Sequence, residues 1–79
     1  LPSGIWIQFP DAESYAVREK ELLESIADSD GNDDVVIFLR DTKGIKVLPP
    51  NRRVNGDETL VRKLEELFGQ GNVKIKNSR

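Results

Sequence analysis

Apolar and polar residues alternate with period two along Ile5-Trp6-Ile7-Gln8-Phe9, which predicts a strand with Ile5, Ile7 and Phe9 on one face. Pro10 has no amide hydrogen to continue a ladder, and Asp11 suits the N-cap of a helix predicted over 12–27. Tyr15, Leu22, Leu23 and Ile26 form that helix's apolar stripe, interrupted near its edge by Glu19, while Arg18, Glu21 and Glu24 read as its solvated side. The polar run 28–34 is a loop. A second strand over 35–40 is apolar on both faces, so its register is open. Asp41-Thr42-Lys43-Gly44 reads as a hairpin turn with Gly44 free to take positive φ, and Ile45-Lys46-Val47-Leu48 as the returning strand, stopped by Pro49-Pro50. Asn55 or Asp57 caps a second helix, Glu58 standing three after Asn55 as in a capping box. Leu60, Val61, Leu64, Leu67 and Phe68 give its core stripe, and Gly69 fits its C-terminal end. Val73-Lys74-Ile75-Lys76 alternates as a last strand.

The order βαββαβ predicts an α+β fold of the ferredoxin-like kind, with four antiparallel strands in one sheet and two helices on one face. The rival is a three-stranded sheet with the last strand docked elsewhere. All 79 residues then make one domain. The chain contains no Met and begins with the bulky Leu1, so it reads as a piece of a larger protein. Its first residues lack the basic and apolar regions of a signal peptide, and zero Cys fits a reducing, cytoplasmic compartment.

Without Cys or His the sequence has no thiolate, no imidazole base and none of the usual zinc ligands. The spacing Asp28-x-Asp30-Gly31-x-x-Asp34 resembles part of a calcium loop. However, its glycine stands fourth rather than sixth, and the twelfth position is Leu39 instead of Glu, so no metal is predicted. Gly69-x-Gly71 precedes a strand, not a helix, and is no phosphate cradle. No catalytic residue and no cofactor are predicted.

Charge is uneven along the chain. Residues 1–41 carry ten acids and three bases, whereas residues 42–79 carry four acids and nine bases. The basic half, Lys43, Lys46, Arg52, Arg53, Lys74, Lys76 and Arg79 among it, could line phosphates, and from it Arg52, Arg53, Lys46, Lys74 and Lys76 are candidate nucleic-acid contacts. An RNA-recognition motif on this topology would want aromatics on its central strands, and the strand at 45–48 has none.

Strand parity supplies the more useful site. If Ile5, Ile7, Phe9, Val35, Ile37, Leu39, Ile45, Val47, Val73 and Ile75 face the helices, the alternates face away: Trp6, Gln8, Val36, Phe38, Arg40, Lys46, Leu48, Lys74 and Lys76. Trp6, Val36, Phe38 and Leu48 then make an apolar cluster on the open face, a candidate partner-binding surface, unless strand two lies in the opposite register or the parent protein covers the face. On that reading Trp6→Ala and Phe38→Ala weaken partner binding without unfolding the domain.

The stretch from Val54-Asn55-Gly56-Asp57-Glu58 through Leu60-Val61-Arg62-Lys63-Leu64-Glu65-Glu66-Leu67-Phe68-Gly69-Gln70-Gly71-Asn72-Val73-Lys74-Ile75 resembles the extreme C-terminal region of bacterial replicative DNA polymerase III α subunits. The opening strand, the hairpin and the segment from Pro49 to Val54 fit the same order, so the resemblance spans nearly the whole chain. It implies a non-catalytic tail of a DNA-directed DNA polymerase, a nucleotidyltransferase of DNA replication whose magnesium-binding aspartates lie in a palm domain far upstream. It also implies a role in holoenzyme assembly by docking on a replisome partner, the clamp-loader τ subunit in some bacteria, or on the rest of the polymerase chain. Two other classes remain: a small-molecule regulatory domain of the ACT type, for which Phe9-Pro10-Asp11-Ala12 lacks the expected glycine, and a single-stranded DNA-contacting domain.

Overall fold

The computed structural model describes residues 4–76 and forms its elements where the alternation places them. They are β1 (Gly4–Phe9), α1 (Ala12–Ile26), β2 (Asp34–Leu39), β3 (Gly44–Val47), α2 (Glu58–Phe68) and β4 (Val73–Lys76), with single 3-10 turns at Pro50–Arg52 and Gln70–Asn72. Leu1, Pro2, Ser3 and Arg79, which entered the reading of the sequence, lie outside the described residues.

Each helix starts on an aspartate. Asp11 Oδ1 accepts the Ser14 amide at 2.7 Å, and this backbone hydrogen bond holds its carboxyl below the usual range. Of the two candidates at the second helix, Asp57 is the cap, accepting the Leu60 amide at 2.9 Å. Asp57→Ala should therefore cost about 1 kcal/mol in urea unfolding and Asn55→Ala clearly less; equal losses would move the cap back to Asn55. Gly69 ends α2 with φ 97°, a region that favours glycine. The hairpin turn differs from expectation: Lys43, not Gly44, takes positive φ (58°). The Thr42 amide bonds to Asp41 and the Gly44 amide to the Thr42 hydroxyl, and these side-chain contacts hold the turn.

The four strands share one sheet, in the order β3-β2-β1-β4. The fold is α+β as expected, but the all-antiparallel, ferredoxin-like sheet is corrected to a mixed one. β1 runs parallel to β2, from Gly4 beside Asp34 to Phe9 beside Leu39, while β4 pairs antiparallel with β1 and β3 with β2. A ferredoxin-like sheet would seat β3 next to β1; here β2 holds that place and the hairpin turns outward. Side-chain character explains the choice. β2 is apolar on both faces and so suits the interior of a sheet, whereas β3 is short, carries Lys46 at its middle and ends on Pro49-Pro50, features that suit an edge.

Both helices pack on the same sheet face. Ile5, Ile7, Phe9, Val35, Ile37 and Val73 join Tyr15, Leu22 and Ile26 of α1 and Leu60, Leu64 and Phe68 of α2 in one buried cluster. Phe9 lies at its centre, edge-on to Tyr15 (5.3 Å between ring centroids) and to Phe68 (5.6 Å). Arg18, expected in solvent, instead lies over the Phe68 ring at 4.4 Å and donates to the Leu67 carbonyl at 2.7 Å, tying α1 to the carboxyl end of α2.

The acidic loop is more than a solvated turn. Asp33 exchanges backbone hydrogen bonds with Val54, both at 2.9 Å, and its carboxylate accepts the Gly56 amide at 2.9 Å. Asp34 pairs with Arg53 at 2.9 Å, and Ser29 receives the Asn55 amide. A Cβ on Gly31 would stand 2.6 Å from the Val54 carbonyl oxygen, so only glycine lets the two segments approach this closely. No helix of the described residues is long and apolar enough to cross a membrane.

Candidate interaction surface

Residues directly opposite one another on neighbouring strands share a face, so the register fixes what the helix-free side carries. One row across the sheet reads Val47, Val36, Trp6, Lys74; the next reads Ile45, Phe38, Gln8. Trp6 and Phe38 thus stand side by side on the two interior strands, ring centroids 6.5 Å apart. Val36 is fully buried between its neighbours, Phe38 is half-buried, and Ile45 and Val47 at the β3 edge are 45 % and 43 % exposed.

Of the sequence-derived partner-binding residues, Trp6, Val36 and Phe38 lie on this face and Leu48 does not. Leu48 is buried in the core cluster under the helices, its amide bonded to the Val35 carbonyl. The parity of β3 is the reverse of the expected one: Ile45 and Val47 face away from the helices, and Lys46 lies on their side, opposite Ile37. The alternation Ile-Lys-Val-Leu fits either register, and what decides it is the seat available to each side chain. Lys46 extends to the rim of α1, its ammonium 3.7 Å from a Glu19 carboxylate oxygen and 5.3 Å from the centre of the Tyr15 ring, while Leu48 fills the core. The polar Glu19 on an otherwise apolar stripe was the signal that a cation would meet it.

The basic candidates do not converge. Lys46 is held at α1 and Arg53 by Asp34, and Arg52 sits in the 3-10 turn beside the carboxyl half of α1, near Glu19, Lys20 and Leu23. Lys74 and Lys76 remain on the helix-free face. Lys76 places its ammonium 4.2 Å from the centre of the Trp6 ring, a cation–π contact that helps leave the indole only 6 % exposed. Together Trp6, Gln8, Phe38, Asn72, Lys74 and Lys76 line a groove of about 240 Å³. Asn72, which the alternation did not single out, is fixed by donating to the Phe68 carbonyl at 2.7 Å, and it accepts a long hydrogen bond from Gln8 at 3.4 Å.

Tyr15 is the titratable group most affected by the fold. Burial above all, and then the neighbouring Glu19 carboxylate, push its hydroxyl up from 10.0 to about 12, and the oxygen has no hydrogen-bond partner within ordinary geometry among the described residues. The protonated form is thus the one the fold prefers, so the native state keeps its proton to higher pH than the unfolded chain. The Tyr15 contribution should be level from neutral pH to pH 10 and fall as pH rises towards 12, and Tyr15→Phe should abolish that fall. As the chain has a single tyrosine, tyrosinate absorbance reports this group alone; a native midpoint near 10 would contradict the burial.

Among the described residues no group of three or more His, Cys, Asp or Glu side chains converges as a metal site. The helix-free face carries an apolar patch bounded by two ammonium groups and two amides. Compared with family models, with curated proteins and with solved structures, the chain finds no match in any of the three.

Proposed function

We propose that the chain is a non-catalytic interaction module, the C-terminal region of a bacterial DNA polymerase III α subunit, which docks on a replisome protein through the helix-free face of its sheet. The single observation that supports docking is the exposed apolar strip of Ile45 and Val47 beside the half-buried Phe38, continuous with the buried Val36 and Trp6, on the sheet face opposite the helices. The polymerase assignment rests on the sequence resemblance, which makes the parent a cytoplasmic nucleotidyltransferase of DNA replication and the clamp-loader τ subunit the first partner to try. The magnesium chemistry would belong to the parent's palm, and this stretch would carry no cofactor.

Phe38→Asp puts a charge at the centre of the patch while leaving the opposite face untouched. It should abolish capture of the clamp-loader τ subunit by the immobilised chain. Val17→Asp, on the outer side of α1 where the native residue is 78 % exposed, should leave capture unchanged. Equal capture by both variants would remove the face from the interaction, and no capture by the native chain would remove τ as the partner.

The ACT-type alternative drew on a shared all-antiparallel topology, and the parallel pairing of β1 with β2 departs from it. The single-stranded DNA alternative has one observation in its favour. The aromatics that an RNA-recognition motif would want, and that the strand at 45–48 lacks, are present as Trp6 and Phe38 on the interior strands β1 and β2.

A further inference from the structure

The groove between β1 and β4 specifies what kind of partner the face accepts. Lys74 and Lys76 lie along one side of it, and no carboxylate stands within ion-pair distance of either among the described residues. Asp34, at the start of β2, is already held by Arg53. In a chain of net charge −2, a groove lined by two ammonium groups and, among the described residues, by no acid is matched by an anionic ligand. The rest of the face is aliphatic and aromatic: Ile45 and Val47 at the β3 edge, with Phe38 between them and the groove.

Resting on the docking reading above, we propose that the occupant is an acidic peptide segment of a partner protein. Its carboxylates meet Lys74 and Lys76, and its apolar side chains cover Phe38, Ile45 and Val47. Two observations favour a peptide over single-stranded nucleic acid. The Trp6 indole is roofed by the Lys76 ammonium and is 6 % exposed, so it offers no open ring for a base to stack on. The β3 end of the face is aliphatic, a surface that side chains cover well and that gives bases no aromatic partner. Gln8 and Asn72 on the groove wall are placed to bond the backbone of an extended segment.

The single tryptophan lies in the groove and reports on it directly. The probes are an acetylated octapeptide alternating glutamate and phenylalanine, its glutamine counterpart, and an oligo-dT of the same length, each titrated into the whole chain while Trp6 fluorescence is followed. The glutamate peptide should bind saturably, more weakly as salt rises, and about tenfold tighter than the glutamine peptide. Lys74→Gln with Lys76→Gln should remove most of that difference. Lys74→Gln alone, which spares the Lys76 contact with the indole, should remove part of it, and Lys63→Gln on α2 none. Unchanged circular dichroism checks that the variants fold. Equal binding of the two peptides, no binding of the acidic one, or tighter binding of oligo-dT would each overturn the proposal. Should Phe38→Asp still abolish capture of τ while the two peptides bind alike, docking stands and the acidic specificity falls.

Discussion

Replacing Ile7 by alanine should remove about 3 kcal/mol of stability, a large share of the roughly 4–12 kcal/mol expected for a chain of this length. Ile7 is fully buried on β1, an interior strand whose neighbours are β2 and β4. Its side chain lies in the cluster that both helices close over, opposite Ile37 on one side and Val73 on the other. Truncation leaves a hole that a pleated strand held on both edges cannot collapse to fill, so the cavity adds to the lost transfer energy. With a urea dependence of about 1 kcal/mol per molar, the unfolding midpoint should fall by about 2 M or more. Val17→Ala, on the exposed side of α1, should move it little. A loss below about 1 kcal/mol for Ile7→Ala would mean that β1 is not interior, and the sheet order would have to be revised.

Trp6→Ala should also cost about 3 kcal/mol, although the side chain lies on the face the helices leave open. Alternation assigns Trp6 to the outward side, which suggests a residue that could be removed without harm to the fold. The neighbours say otherwise: Val36 lies beside it in the parallel ladder, Phe38 is tilted against it, and Lys76 covers its ring. An indole at 6 % exposure has most of its area to lose, so its removal weakens folding, and on the proposed reading docking with it. Trp6→Phe should recover much of the stability. Phe38, half-buried, is the residue whose substitution should separate the proposed binding from folding. Urea unfolding of Trp6→Ala within about 1 kcal/mol of the native chain would show that the indole is not packed.

The elements and their inward positions were legible because they depend on local chemistry. Period-two alternation marks β1 and β4, aspartates start both helices, and the stripes from Tyr15 to Ile26 and from Leu60 to Phe68 point at the sheet. Strand order is non-local, and nothing in the spacing of Val35 to Leu39 names its neighbour. The signal lay in the contrast of two segments: β2 carries apolar residues on both faces, and β3 carries a lysine and leads into two prolines. The parity of β3 was ambiguous for the same reason that it matters. In a four-residue strand a slip by one position is opposed only by the seats its side chains find, here Tyr15 and Glu19 for Lys46 and the core for Leu48. Three of the four apolar candidates could thus be named in advance, whereas Ile45, Val47 and Asn72 required the register.

The proposed docking face depends on β2, not β3, lying beside β1, since β2 then carries Val36 and Phe38 between β1 and the β3 residues Val47 and Ile45 on the helix-free side. Inter-strand nuclear Overhauser contacts in the native chain test it most directly. The pairing predicts contacts between the backbones of Ile7 and Ile37, between the methyls of Val47 and Val36, and between the Lys46 side chain and the Tyr15 ring. Backbone contacts between β1 and β3, or a Lys46 side chain beside Phe38, would contradict it and take the proposed docking face away.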